Sequence, residues 1–460
     1  MTPATRTILR CAASFLVVGT ACFVLLLISG LVSPQTMINS ITRDAAEIEM
    51  RGDYPDPVFQ GRFEPPIAKY MYDGFTDGIM LMQAIPDRNR NLVENAIMGP
   101  YYAIGDGTPG GDGTGGISPT TALLELVNNP TEVEQQRTYV LYWHGYVVPM
   151  RALLSIMSPM TIVILNVVVF ILTSAAVFEV FRRTGGLAFA ITWLIALLAT
   201  WAWITPLGFQ HFTAFHIAML ATVALYFVLK RSKHHEWVVP LFLITGLLTA
   251  FFDFLTIPLL TFLLPLSLYY LWLIKVRKEP SLLKSVHAGA AWLIGYAGFW
   301  ATKWLVTAIF YSAQYANSEF AYALAHRGTA GDGGLHYRFA AIYNNLYQLF
   351  AFAPDGSVFM GQLFTMVAIA AAVLTAAWYA LVKYTRTSHD QVKRAAPMLL
   401  VALGPYVWYF AVTQHSTFHS WFTWRLQVGL ILGVIFFILL SIDWSALRKN
   451  KPTAKLREEG

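Results

Sequence analysis

Ten apolar segments, each close to the length that crosses a lipid bilayer, constrain this chain more than any other feature. A bilayer core needs about 20 apolar residues per helix. The charged fraction is 13% and the mean hydropathy +0.52, whereas about a quarter of the residues of an ordinary globular protein are charged. We therefore predict an all-α polytopic membrane protein, a single integral membrane domain over residues 1–460 with about ten transmembrane helices. The segments lie at roughly 8–32, 159–181, 187–204, 212–230, 237–253, 257–274, 286–306, 362–382, 396–413 and 423–442.

Lysine and arginine cluster on alternate connections between these segments. Because cytoplasmic loops carry an excess of basic residues, both termini are predicted to be cytoplasmic, with 443–460 as a basic tail. The net charge of +6 is thus a topology signal, and no nucleic-acid partner is expected. The clusters are Arg6 and Arg10, Arg182 and Arg183, Lys230 to Lys233, Lys275 to Lys284, Lys383 to Arg394, and Arg448 to Lys451.

Two connections on the opposite, extracytoplasmic side are long, at 33–158 and 307–361. The first is expected to carry juxtamembrane helices, one of them from Thr131 to Met157, where Thr131 and Glu134 form a capping-box pattern. The Gly-rich run at 105–116 lacks the Lys and the spacing of a nucleotide-binding loop, and a second Gly-rich run follows at 326–338. They indicate flexible loops or a lid. The first apolar segment is interpreted as a retained anchor, since it lacks a signal-peptide cleavage pattern.

Two acids in the stretch YMYDGFTDGIMLMQA, Asp73 and Asp77, are the candidate catalytic residues. At helical spacing they share one face, and Asp77 leads into an apolar helix. Partial burial there would raise its pKa toward that of a useful general base. The alternative is that Asp77 caps the helix, an interaction worth about 1 kcal/mol. Asp73 would orient Asp77 or be solvated.

Further polar residues gather at the predicted extracytoplasmic ends of the spans. Snorkelling, an interfacial aromatic belt or a simple ion pair would each explain some of them. Together they favour a cationic pocket for an anionic lipid headgroup, because Arg and Lys bind phosphate. Cys11 and Cys22 form no disulfide framework, and no metal-type Cys/His spacing occurs. The gathered residues are His144, Arg151, His211, His216, Asp253, Lys303, His415, His419 and Arg425.

The layout resembles the GT-C superfamily of polyprenyl-phosphate-sugar-dependent glycosyltransferases. The layout resemblance covers the whole chain. Five segments also resemble those of bacterial multi-span proteins that we place near that superfamily: YMYDGFTDGIML, YWHGYVVPMR, FFDFLTIPLL, WLIGYAGFWATKW and HSTFHSWFTWR. The layout resemblance implies catalytic acids in the first large loop and basic residues near the membrane face that hold the donor phosphate. In that superfamily the acid lies soon after the first span. By position, its counterparts here are Glu47 and Glu49, or Asp53 and Asp56, which leaves the identity of the base open.

The resemblance implies an inverting transferase of the bacterial cytoplasmic membrane, with its active site on the extracytoplasmic face. Its partners would be a polyprenyl-phosphate-linked sugar, a glycan or glycolipid acceptor, and membrane lipids. Lys303 and Arg425, with Arg151 or Arg327, would hold the phosphate, and His415 and His419 would position the substrate. No cofactor is named with certainty, and a divalent cation is left open. The alternatives are a transporter or lipid flippase, a polysaccharide polymerase or ligase, and a non-catalytic scaffold.

Overall fold

The chain is built almost wholly of α-helices. The computed structural model describes residues 2–53, 73–102, 118–130, 136–210, 212–278, 281–323, 334–350 and 360–449. The first seven helices are α1 Pro3–Ser29, α2 Pro34–Thr42, α3 Ala45–Arg51, α4 Gly74–Ala84, α5 Leu92–Met98, α6 Pro119–Asn128 and α7 Val147–Leu154. Next come α8 Pro159–Gly185, α9 Leu187–Ala199, α10 Phe212–Lys230, α11 Val238–Phe252, α12 Leu260–Trp272, α13 Leu282–Phe310, α14 Ala313–Ala323 and α15 Gly334–Phe350. The last are α16 Met360–Tyr384, α17 His389–Ala395, α18 Met398–Ala411, α19 Thr413–Phe418, α20 Ser420–Thr423, α21 Val428–Ser441 and α22 Trp444–Lys449.

Within the described residues, eight helical stretches are long and apolar enough to cross a membrane. All ten predicted apolar segments form helices, which confirms the all-α polytopic class. Two of them are not among these eight stretches: α9, with 13 residues, and α18, with 14. The eight long stretches are Pro3–Ser29, Pro159–Gly185, Thr213–Lys230, His235–Phe252, Leu260–Arg277, Leu282–Phe310, Thr365–Tyr384 and Ser420–Ser441.

Helices α11 and α13 pack backbone against backbone through two glycines. A Cβ added at Gly246 would lie 2.0 Å from the Trp292 carbonyl oxygen, and one added at Gly295 would lie 2.1 Å from that of Leu243. Small residues permit such close approach, and in a membrane van der Waals packing replaces the hydrophobic drive between helices. These helices therefore form a closely packed pair within the bundle.

The first long connection folds as a layer of short helices over one end of the bundle. We call this the loop end; there α1 ends, α8 begins and α13 ends. The layer is tied to the bundle by polar contacts. The Ser40 hydroxyl donates to the Met157 carbonyl at 2.6 Å, and the Asp44 carboxylate accepts from the Met160 N–H at 2.7 Å. Because Met160 lies in the first turn of α8, the acid also complements the positive end of that helix dipole.

The predicted helix from Thr131 to Met157 is wrong over most of its described length. Gln136–Arg137 is a strand, β2, which pairs antiparallel with β1 at Tyr101–Tyr102. The chain then turns, with His144 in the left-handed region at φ +55°, and becomes helical only at Val147. A left-handed residue interrupts an α-helix. Thr131 and Glu134 lie outside the described residues.

Candidate functional site

Helix α4 begins at the first of the two candidate acids. Asp73 is its N-cap, and the carboxylate accepts from the backbone N–H of Thr76 at 3.0 Å and from its hydroxyl at 2.6 Å. Asp77 follows in the first turn, where its N–H bonds to the Asp73 carbonyl. The cap is therefore Asp73, and the alternative that Asp77 caps this helix is wrong. Both side chains are buried, at 4% and 2% exposed.

Asp77 binds a distant stretch of backbone. One carboxylate oxygen accepts from the N–H groups of Phe209 at 2.8 Å and Gln210 at 3.1 Å, just before α10 begins. The second buried acid, Asp253, interacts with the Thr213 hydroxyl in the first turn of the same helix. Two predicted acids thus converge on the N-terminal end of α10, where the helix dipole favours negative charge.

Asp53 brings the early acidic piece of the loop next to Asp73. Its carboxylate accepts from the N–H of Thr120 at 2.9 Å, and its carbonyl accepts from Phe75. Burial raises the pKa of Asp73 to about 7, and the charge of Asp53 adds to this, while the Thr76 hydrogen bonds oppose it. A carboxyl with a pKa near neutrality can exchange a proton at physiological pH. Asp53 was named from the sequence only as a positional counterpart.

Two cavities meet at the side chain of Phe209. The smaller, about 10 Å³, is lined among others by Asp77, Arg51 and Phe209, and has room for about one water. The larger, about 140 Å³, lies between α7, α8 and α10 and is almost entirely apolar. At its rim the Nε2–H of His216 donates to Asn166 Oδ1 at 2.7 Å. Sequence reasoning missed Phe209 and Arg51, because neither carries a local motif.

Arg51 is the cation of the small cavity. It pairs with Glu47 at 3.0 Å and donates to the Leu207 carbonyl at 3.4 Å. Its side chain is 27% exposed. A partly exposed guanidinium beside a carboxylate-lined cavity can bind an anion in two-pronged fashion.

The predicted cations Arg151 and Lys303 are buried and bound to helix ends. Arg151 donates to the carbonyls of Ala84 at 2.9 Å and Gln83 at 3.1 Å, and to the Ser29 hydroxyl at 3.1 Å. Lys303 donates to the Ile97 carbonyl near the end of α5. Both therefore satisfy carbonyls that helix ends leave unpaired. Burial lowers the pKa of Arg151 to about 10, so it remains charged at neutral pH.

His144 belongs to the same buried network. Its Nδ1 lies 3.0 Å from the Tyr146 hydroxyl, and its Nε2–H donates to the Tyr139 carbonyl. Burial, followed by the nearby charge of Lys303, lowers the pKa of His144 to about 3. The imidazole is thus neutral at physiological pH, and Tyr146 links it to Gln83 at the end of α4.

Asp253, His415 and His419 form a third group around the α11–α12 connection. Asp253 accepts from the N–H of Thr256 at 3.0 Å and from its hydroxyl. Between them Leu255 has a φ of +74°, a strained conformation for this residue type. The Nε2–H of His415 donates to the Leu255 carbonyl at 2.6 Å, and the His419 ring lies 4.6 Å from the His415 ring. Arg425 donates to the Trp421 carbonyl at 3.2 Å.

The predicted site residues thus occupy three neighbouring parts of the loop end. Asp77 and Asp253 meet at α10, whereas Lys303 and Arg425 do not line the cavity of Asp77. Arg327 and His211 lie outside the described residues. Among the residues that the structure describes, no group of three or more His, Cys, Asp or Glu side chains could hold a metal ion.

The fold defines the class of this protein: an all-α polytopic membrane protein with a helical layer over one end of its bundle. Compared with known proteins, the chain matches no family model, no curated protein and no solved structure.

Proposed function

We propose that this chain is a membrane glycosyltransferase that moves a sugar from a polyprenyl-phosphate donor to an extracytoplasmic acceptor hydroxyl, with inversion at the sugar carbon. The observation that carries the proposal is the position of Phe209, which lines both a polar cavity with Asp77 and Arg51 and an apolar cavity between helices. A substrate that joins an anionic, polar head to a hydrocarbon tail matches this pairing.

The apolar cavity suits the hydrocarbon. A dry cavity of about 150 Å³ lined by apolar side chains takes up a benzene-sized molecule. The cavity here has about the same volume, and Met150, Leu153 and Ile162 line it. Leu165 and Val169, also on its wall, are each 37% exposed on the face of α8. This supports lateral entry of a unit of about five carbons from the bilayer.

The small cavity, with room for about one water, suits the reacting hydroxyl, and the donor phosphate is placed at the partly exposed guanidinium of Arg51. Arg51 is assigned to the donor phosphate, because its guanidinium is partly exposed and lines the small cavity, whereas Arg151 and Lys303 are buried. Asp77 is assigned as the base, because it lines the cavity, and geometry is the first requirement of a base. It takes the acceptor proton, the acceptor oxygen bonds to the sugar carbon, and the electron pair of the broken C–O bond leaves with polyprenyl phosphate.

Asp73 is the alternative base, since burial raises its pKa to about 7. This assignment predicts a transfer rate that rises with pH through a midpoint near 7. If Asp77 is the base, the midpoint of the pH–rate profile does not depend on Asp73. A pH–rate profile of the wild type and of Asp73→Asn separates the two.

The test is transfer by purified protein in liposomes, with labelled polyprenyl-phosphate sugars and a hydroxyl acceptor. Asp77→Asn keeps an oxygen for the N–H groups of Phe209 and Gln210 but cannot take a proton. A loss of about 10²–10⁴-fold in the turnover rate is expected. Arg51→Gln should raise the KM for the donor. The matched control is Asp390→Asn, an exposed acid in the first turn of α17.

Full transfer by both Asp73→Asn and Asp77→Asn would remove the proposed base. Movement of the intact lipid-linked sugar between leaflets, with no new glycosidic bond, would instead make the protein a flippase.

A further inference from the structure

Two buried polar side-chain atoms at the start of α10 form no hydrogen bond with a residue that the structure describes. They are the amide oxygen of Gln210 and the hydroxyl of Thr213. No described group lies at the distance and angle of a direct hydrogen bond to the Thr213 hydroxyl. Gln210 and Thr213 are each 4% exposed. A buried, unsatisfied polar atom costs about 1–3 kcal/mol. Such an arrangement calls for a ligand that supplies the missing bonds.

The surroundings hold both atoms in place. The Gln210 N–H donates to Asp77, which fixes the backbone at this point. The Thr213 hydroxyl interacts with the carboxylate of Asp253, which is 2% exposed and forms no ion pair with a described residue. Where two polar groups lie too far apart, or at too sharp an angle, for a direct hydrogen bond, a bridging group commonly lies between them and bonds to both.

The charges around these atoms limit the chemistry of the ligand. Asp77 and Asp253 repel an anion, so a phosphate does not fit here. Among the described residues no group of three or more His, Cys, Asp or Glu side chains could hold a metal ion. The Gln210 oxygen needs a donor, Asp253 accepts, and Thr213 can donate or accept. A neutral hydroxyl group satisfies all three conditions.

We infer that Gln210, Thr213 and Asp253 form a hydroxyl-binding subsite that recognises one hydroxyl of the transferred sugar. This rests on the proposed function, because the N–H of Gln210 donates directly to Asp77, the proposed base. A site built to hydrogen-bond a substrate hydroxyl rejects the analogue that lacks it. The subsite therefore determines which sugar the protein accepts.

The experiment compares Thr213→Val and Gln210→Met, which nearly conserve volume, with the wild type. The probes are a panel of short-chain polyprenyl-phosphate pyranoses and the monodeoxy analogues of each. The wild type should prefer a parent sugar to one of its deoxy analogues by at least tenfold in kcat/KM, and both variants should lose that preference. Gln210→Met should unfold in detergent without substrate at an unchanged or higher temperature, because an unsatisfied polar atom has been removed.

Thr222→Val is the matched control on the same helix. Thr222 is fully buried, and its hydroxyl donates to the Ala218 carbonyl at 2.7 Å. This variant should keep the sugar preference and unfold at the same or a lower temperature. The inference is overturned if Thr213→Val and Gln210→Met keep the preference. It is also overturned if Gln210→Met unfolds at a clearly lower temperature, since its polar atom would then be satisfied within the protein.

Binding distinguishes failure of the subsite from failure of the proposed function. If the wild type transfers none of the pyranoses, the glycosyltransferase proposal fails. Equilibrium binding of the same probes then tests whether the hydroxyl-binding subsite exists. Weaker binding and lost deoxy discrimination in Thr213→Val would support the subsite without catalysis. Equal binding by wild type and Thr213→Val, or no binding by either, would refute it.

Discussion

Single buried charges in this protein are bound mainly to backbone atoms. Arg151 and Lys303 donate to carbonyls at helix ends, and Asp77 accepts from two N–H groups. This follows from the cost of leaving polar groups unpaired where water is scarce. A charged residue at a span end in the sequence therefore does not by itself indicate a ligand site. Asp73 differs, because burial raises the pKa of its carboxyl to about 7.

The raised pKa of Asp73 makes stability depend on pH. Its pKa is about 7 in the folded protein and 3.8 ordinarily. Between these values the folded state holds a proton that the unfolded state has released. Stability should therefore fall as pH rises from about 4 to 7, with a slope of at most about 1.4 kcal/mol for each pH unit. Asp73→Asn, which keeps an N-cap side chain, should lack this fall.

The measurement is the unfolding temperature in detergent from pH 4 to 8, with Asp390→Asn as the control. Parallel curves for wild type and Asp73→Asn would contradict the prediction.

At the scale of elements, close contacts at glycine set the spacing of α11 and α13. Gly246 and Gly295 each face a carbonyl of the partner helix at a distance that no side chain can share. Acidic side chains at helix N-termini also fix the arrangement of the elements. Asp44 lies at the N-terminal end of α8, and Asp77 and Asp253 lie at the N-terminal end of α10. The loop layer is thereby attached to the bundle through helix N-termini.

Gly295→Ala should destabilise the protein. The new methyl group would lie 2.1 Å from the Leu243 carbonyl oxygen, and overpacking of this kind costs about 1–3 kcal/mol. Gly289→Ala, on the same helix, would place its methyl group 3.3 Å from the Phe262 ring. There a small movement of the ring suffices, so we expect little change.

Thermal unfolding in detergent compares the two variants. Equal unfolding temperatures would show that α11 and α13 separate easily at this point.

At the scale of the whole molecule, the predicted topology requires that two short helices cross the membrane. α18 has 14 residues, which is less than the usual length of a span. It is extended at its end by α19 and preceded by α17. The alternation of basic clusters predicts that α17 lies in the cytoplasm and α19 outside.

Cysteine labelling tests this crossing. In a chain with Cys11 and Cys22 replaced by Ala, Phe418→Cys and His389→Cys each put one thiol at an exposed position. A membrane-impermeant maleimide should label Phe418→Cys in intact cells and His389→Cys only after permeabilisation. Labelling of both from one side would show that α18 does not cross.

The sequence alone determined the class of fold, because the length and apolarity of a membrane helix are local properties. Ten apolar segments predicted ten helices, and each is present. The boundaries within the loop layer were less predictable. A capping-box pattern favoured a helix over 131–157, yet β1 pairs with β2, and the left-handed His144 delays the helix to Val147.

Only the tertiary structure decided the partner of each polar residue. Asp77 contacts backbone 132 and 133 residues away, and Lys303 contacts a carbonyl 206 residues away. No local pattern encodes such pairing, because it depends on how the helices pack. For the same reason Phe209, Gln210 and Thr213, which no motif marks, lie at the centre of the candidate site, while Arg151 and Lys303 serve the ends of helices.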